Sequence, residues 1–370
     1  MYKQVNLIEK TFLPILLLFH IAGLELLRHP GYSKQNRFRR FIWKFPQYLF
    51  NFLQCLVVIT QLANIILLSD KNMPMVVFVF VVLPIAANLQ TRRSRKQIRI
   101  LLMKLWKCAQ MLHCGNDGQK FQIPIFVYCA SLILLNIIYI LSFLNSNEYT
   151  IYRNSFENSD YAPKELKQYF TFIPEIGATA IPIASALVYI PLTGYYGFVC
   201  FYVKFLFNRV ESCLRHSSKD YSYMPIVHSY VELINIMKSL DDYLSFSAFA
   251  IVLSAMSGLF HLNYHLLILS KDGYLHTLVG EIYFSVSAGM VILSASAANS
   301  AFVTAKEAVF SLPFKISHYY KDVKMVIWSE CARDVSLTLW NIYKIERSLI
   351  FSAIGTLVTY GILVGNLGRR

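Results

Sequence analysis

The sequence predicts an all-helical membrane protein with seven transmembrane helices, its N-terminus cytoplasmic and its C-terminus extracellular. Three observations lead there. First, 56% of the 370 residues are hydrophobic and 15% are charged, whereas a soluble chain carries roughly 25% charge; the mean hydropathy is +0.46. Second, the apolar residues gather in runs, and a run of about 20 is what a helix needs to cross about 30 Å of hydrocarbon. Third, the basic residues alternate between dense and sparse connections, as the positive-inside rule requires of a polytopic chain. A water-soluble enzyme is excluded on these grounds, and no GxSxG, Walker loop or CxxC pair points to catalysis.

The first apolar run, Thr11 to Leu27, is short and carries His20 and Glu25. It is expected to form an interfacial or partly buried helix. It lacks an A-x-A-like cleavage site and leads into a basic stretch, so it does not read as a signal peptide. Seven longer runs follow, at about 48–68, 73–90, 123–144, 176–203, 244–269, 279–303 and 348–366. The first five contain no Asp, Glu, Lys or Arg, and the sixth holds only Glu281. Residues 1–47 therefore form a cytoplasmic N-terminal segment, 48–303 carry six spans and a ligand pocket, and 304–370 carry a cytoplasmic anchor and the last span.

Orientation comes from the charges. With the N-terminus inside, the outer connections and C-terminus hold Lys71, Arg153, Lys164, Lys167, Lys271, Arg369 and Arg370, and the rest of the 35 basic residues lie inside. That placement serves topogenesis, so the net charge of +14 does not imply nucleic acid as a partner. The cysteines agree: Cys55, Cys129 and Cys200 fall in spans, Cys108, Cys114, Cys213 and Cys331 on the inner side. No structural disulfide is expected.

Two inner segments carry helical patterns. Ile98, Leu101, Leu102, Leu105 and Ala109 share one face of a helix over Gln97 to Leu112, with Arg99, Lys104 and Lys107 off it. From Val335 the chain reads VSLTLWNIYKIERSL, and Val335, Leu339, Ile342 and Leu349 keep a 4-3-7 spacing interrupted by Glu346. With no Gly or Pro before Gly355, a helix is expected to run unbroken from about Arg333 into the last span. Such an anchor needs an apolar partner, in the same chain or another subunit.

Candidate binding residues lie in the outer halves of the third to sixth spans. Asn136, Tyr139, Phe143, Thr179, Ser185, His261, Tyr264, His265 and Tyr283 combine apolar bodies with a few polar handles, the composition of a small-molecule pocket. Ordinary helix packing with hydrogen-bonded tyrosines accounts for any one of them equally well. His261 and His265 share a helix face, but no third or fourth ligand accompanies them, so neither metal nor cofactor is expected.

The last span has the sharpest pattern. Ser352, Thr356, Thr359, Leu363 and Asn366 follow steps of 4, 3, 4 and 3 and make a mostly polar stripe. Such a stripe can line water, with Leu363 as a dewetting gate and Asn366 as a polar ring beside it. Close packing competes: Gly361 and Gly365 form GxxxG, and hydroxyls on membrane helices also bond their own backbone.

Leu339 to Gly368 resembles the C-terminal signature of arthropod gustatory receptors, a family that commonly ends its last span with Thr-Tyr, five mostly apolar residues and Gln-Phe. Here Thr359 and Tyr360 match, and Asn366 and Leu367 replace Gln-Phe, keeping the amide on a shorter stem. The layout is similar too: PILLLFHIAGLELL near the N-terminus, seven spans, N-in topology and a long inner segment before the last span. The resemblance implies a chemosensory receptor at the plasma membrane, acting as a non-selective cation channel opened by a small-molecule tastant. It also implies a homo- or hetero-tetramer around the last span, with the tastant pocket in the outer halves of the helices. A G-protein-coupled receptor requires the opposite topology, and its Asp-Arg-Tyr and NPxxY are missing. A transporter would favour broken helices and paired repeats, for which Pro182 and Pro191 are the only support.

Overall fold

The computed structural model describes residues 10–24, 37–67, 72–112, 120–147, 172–216, 223–268, 274–315 and 333–367, with a few single positions between them. In chain order these form α1 (Leu13–Ile21), α2 (Arg37–Leu67), α3 (Asn72–Arg93), α4 (Arg95–Met111), α5 (Gln122–Leu144), α6 (Phe172–His216), α7 (Tyr223–Ile268), α8 (Tyr274–Lys315), β1 (Thr338–Leu339), β2 (Tyr343–Lys344) and α9 (Ser348–Leu367). Each of the seven long apolar runs is helical: α2, α3, α5, α6, α7, α8 and α9 cover them. Among the described residues, α5 to α8 are long and apolar enough to cross a membrane by length and composition. The end of the bundle where basic residues gather is called the inner end below.

Helices α6, α7 and α8 have 45, 46 and 42 residues. At 1.5 Å per residue each exceeds about 60 Å, twice the hydrocarbon thickness, so all three extend past any bilayer. They pack on one another around Tyr189, Phe207 and Tyr230, which are fully buried. Between helices in lipid the attraction is close packing rather than the hydrophobic effect, and small residues allow it. Gly197 shows this: a Cβ there would lie 2.6 Å from the Met290 side chain, so α6 and α8 meet where the glycine leaves room.

The nine residues of α1 span about 14 Å, too short to cross. Ile15, Leu16 and Phe19 are buried, and the rings of Phe12 and Phe19 lie 6.3 and 5.8 Å from that of Tyr195. The helix is thus partly buried, with Leu13, Leu17 and Ile21 on an exposed face. Helix α4 continues α3 past a turn at Ser94, and all five residues of its expected apolar face are buried. Tyr195 fastens it by donating a hydrogen bond to the Ile98 carbonyl (3.0 Å).

The segment before the last span differs from the expected helix. Residues 333–347 are extended and turn back as a small antiparallel hairpin, Thr338 paired with Lys344 and Leu339 with Tyr343, and helix resumes only at Ser348. Trp340 and Asn341 have φ of 52° and 56°, the positive values at both central positions that a type I′ turn requires. The Ile342 N–H closes that turn on the Leu339 carbonyl at 3.0 Å. The physical reason is a set of remote polar groups that satisfy the extended backbone, described next. Leu339 is buried as the helical stripe required, but Ile342 is 60% exposed.

Candidate functional site

Three structures in the fold bear on function: an aromatic cluster toward the outer ends of α5 to α8, the hairpin against the middle of α7 and α8, and the polar stripe of α9.

In the outer cluster, Tyr139 and Phe143 of α5 stack with ring centroids 6.5 Å apart. Both rings face His276 of α8, at 6.3 and 5.7 Å. One turn on, Gly280 lies against Tyr139 and against Leu262 of α7. Deeper, Tyr189 of α6 sits 6.2 Å from Tyr283 and 6.1 Å from Phe284 of α8 and donates a hydrogen bond to Ser254 of α7. Tyr128 of α5 shares a hydrogen bond with Thr193 of α6 at 2.7 Å. Four helices thus converge on one aromatic region with embedded hydroxyls.

Of the residues expected to line a pocket, Tyr139, Phe143 and Tyr283 meet in this region. Asn136 borders it, donating to the Pro182 carbonyl at 3.4 Å. The Tyr283 hydroxyl is buried with no hydrogen-bond partner among the described residues. Thr179 is spent locally, its hydroxyl bonding the Glu175 carbonyl at 3.0 Å, and Ser185 is buried. His261 is half-buried on α7, while the side chains of Tyr264 and His265 lie outside the described residues. Among the described residues no three His, Cys, Asp or Glu side chains gather as a metal site. Tyr189, Ser254 and His276 were not foreseeable: each is a single polar group in or beside an oily run, without a pattern.

The cluster leaves little spare room at Gly258, where a Cβ would lie 2.9 Å from the Phe284 ring. A ring cannot yield as a flexible chain end does. Gly258→Ala is therefore expected to destabilise the protein by about 1–3 kcal/mol through overpacking, measured as a lower unfolding midpoint of the detergent-solubilised chain.

The hairpin is held by two side chains far away in sequence. Asn299 of α8 accepts from the Leu337 N–H (2.8 Å) and donates to the carbonyls of Leu337 (3.2 Å) and Ile345 (3.0 Å), so one buried amide binds both arms. Asp241 of α7 accepts from the Thr338 N–H (2.6 Å) and hydroxyl (3.0 Å). One turn further, the Ser245 carbonyl accepts from the Trp340 N–H (3.2 Å). The Trp340 ring packs on Phe246 and Phe249, at 5.5 and 5.3 Å, which holds a bulky residue in the left-handed region it otherwise avoids. Burial raises the Asp241 pKa above the usual carboxylate value, with the two Thr338 hydrogen bonds opposing. Lys306 of α8 pairs with the exposed Asp334 and holds its carboxyl below the usual range.

Among the described residues, helix α9 touches α7 and, more lightly, α8. Ser352, Thr356 and Thr359 are exposed. Each hydroxyl donates to the carbonyl four residues back, at 3.2, 2.8 and 2.7 Å. Backbone bonding therefore accounts for their donors and leaves their lone pairs free to accept. Leu363, Asn366 and Tyr360 lie on α9, with side chains outside the described residues. Phe351 and Ile354, on the first turns, are 77% and 52% exposed.

No family model and no curated protein matches the chain. Its fold does match solved structures. The insect olfactory receptor OR5 from Machilis hrabei in complex with eugenol superposes with a TM-score of 0.75 at 13% identity, over 98% of this chain and 99% of that one. A second structure of that receptor superposes with a TM-score of 0.69 at 12% identity, over 95% of this chain and 96% of that one. The chain thus has the seven-helix fold of an insect olfactory receptor from end to end, the fold class expected from its sequence.

Proposed function

We propose that this chain is an arthropod chemosensory receptor of the gustatory type, working as a ligand-gated, non-selective cation channel in the plasma membrane. One observation carries the reading: α9 is an apolar helix on which the hydroxyl residues Ser352, Thr356 and Thr359 form an exposed stripe among the described residues. Back-bonding satisfies the hydroxyl donors, but three exposed hydroxyls in register still offer unfilled acceptors, which suit water or sister copies better than lipid. Four copies arranged around α9 satisfy both demands, with Leu363 as the gate and Asn366 beside it. The chain's likeness in fold to a receptor solved with eugenol, a small aromatic phenol, supports a small-molecule ligand held by the aromatic cluster.

The geometry also suggests how a ligand could reach the gate. Helices α7 and α8 carry the cluster through Ser254, Gly258, Tyr283 and Phe284. About four turns further in, they carry the hairpin through Asp241 and Asn299. A ligand that binds better when α7 and α8 are displaced would move the hairpin and the α9 attached to it, and only such differential affinity can shift the equilibrium. Currents evoked by a tastant panel in cells expressing the chain should persist when G-protein signalling is blocked; their loss under blockade would assign the protein to the metabotropic class.

A further inference from the structure

Helices α2 and α3 enclose a seam of hydrogen-bond donors that have no acceptor. The two run antiparallel, with the Arg92 guanidinium 5.9 Å from the centre of the Phe50 ring and Val57 packed with Val81 further out. Gln54 is one turn from Phe50, and Asn88 one turn from Arg92, each about 6 Å along its axis, so this register sets Gln54 level with Asn88. Arg92 Nε, Asn88 Nδ2 and Gln54 Nε2 are all buried without a partner. Two turns beyond Gln54, both polar atoms of Gln61 are in the same condition. Asn88 and Gln61 are each 1% exposed.

Arg92 itself is half-buried and, among the described residues, its hydrogen-bond acceptor is the Ala22 carbonyl, at 2.9 Å. Gly23 makes way for it, since a Cβ there would lie 2.5 Å from its Nη2. Burial lowers its pKa. A buried cation beside orphaned N–H groups lacks an acceptor-rich anion. Around the mouth of the seam Arg93, Arg95 and Lys96 are exposed and Lys44 is half-exposed. The outer faces of both helices are apolar and open, with Tyr48, Leu49, Phe52 and Leu89 each at least half exposed.

We propose that the α2/α3 seam binds the phosphate of an anionic membrane phospholipid, with Arg92, Asn88 and Gln54 as donors and the acyl chains lying along the open face of α2. Phosphate offers acceptors only, and its charge balances the guanidinium. Lipid is the occupant because the seam opens beside an apolar surface at the end of the bundle where basic residues gather. A zwitterionic headgroup fits less well, since its ammonium would meet Arg93, Arg95 and Lys96.

The test uses the full chain reconstituted in phosphatidylcholine vesicles with and without phosphatidic acid, then extracted and weighed by native mass spectrometry. Wild type should retain phosphatidic acid in preference to phosphatidylcholine and unfold at a higher temperature with it. Arg92→Gln should lower the retained fraction by about tenfold or more, the weight of one charge-assisted hydrogen bond. Asn88→Leu should lower it too, while Arg209→Gln, an exposed position on α6, should change it little. Equal retention of the two lipids, or equal loss from Arg92→Gln and Arg209→Gln, overturns the site. Displacement of the lipid by inorganic phosphate, with the same thermal gain, assigns the seam to free phosphate and overturns the lipid. If the variants fail to fold, an unfolding temperature of wild type unmoved by phosphatidic acid overturns it equally.

Discussion

Asn299→Ala should abolish ligand-evoked current and lower stability by on the order of 3 kcal/mol, the cost of leaving buried backbone groups unsatisfied. The residue is 5% exposed, and its amide accepts from the Leu337 N–H while donating to the Leu337 and Ile345 carbonyls. Without it the Leu337 N–H loses its acceptor and two carbonyls lose a donor. The hairpin would loosen, and α9 would no longer follow α7 and α8. Asn299→Asp separates the two effects, because a carboxylate keeps the acceptor for Leu337 but turns two donors into repulsions. It should therefore be as damaging to gating as alanine. Unfolding midpoints and evoked currents at matched surface expression check this; an Asn299→Ala channel that gates normally would remove the hairpin from the path between ligand and pore.

The neighbouring clamp gives a pH signature. Burial raises the Asp241 pKa, so the folded state prefers the protonated carboxyl. Its contribution to stability is fullest below the unfolded pKa, about 3.9, and is lost as pH rises through the folded value. Asp241→Asn should flatten the stability profile across that acid window. Asp241→Ala should also cost stability at neutral pH, since the Thr338 N–H and hydroxyl then lack an acceptor.

These residues show where sequence reasoning stops. The buried face of α4 was legible because that helix has a polar side and an apolar side, and the period of 3.6 separates them. The spans were legible from length alone. The hairpin was not. Val335, Leu339 and Ile342 fit a helix, but Val335, Leu337 and Leu339 fit a strand equally well, and a short apolar run does not choose between the periods. The choice is made by Asp241, 97 residues away from Thr338, and by Asn299, 38 away from Leu337. Gln54, Gln61 and Asn88 were hidden for another reason: inside an oily run a lone amide carries no periodicity, and only the register of α2 against α3 brings them together. The aromatic cluster was half legible, since Tyr139, Phe143 and Tyr283 were visible by type while their partners Tyr189 and His276 were not.

Leu363→Ala should raise basal current several-fold in the absence of ligand. The exposed hydroxyls of Ser352, Thr356 and Thr359 wet one face of α9 up to Thr359, and Leu363 is the next position on that face, one turn on. Four leucines meeting at the axis would expel water, and a narrow apolar ring blocks ions by dewetting alone. Alanine widens the ring and exposes helix backbone, so the closed state loses its barrier while the ligand cluster, at the outer ends of α5 to α8, is untouched. Ligand affinity should therefore hold while the ratio of evoked to basal current falls. Leu363→Phe should do the opposite, sealing the axis and raising the ligand concentration needed for half-maximal current. Thr359→Val is the control for wetting: it keeps the size and removes the hydroxyl, and should reduce conductance of the open channel without adding leak. Whole-cell recordings before and during ligand separate the three. An unchanged basal current in Leu363→Ala would take the gate away from this position, and unchanged conductance in Thr359→Val would return the stripe to helix packing.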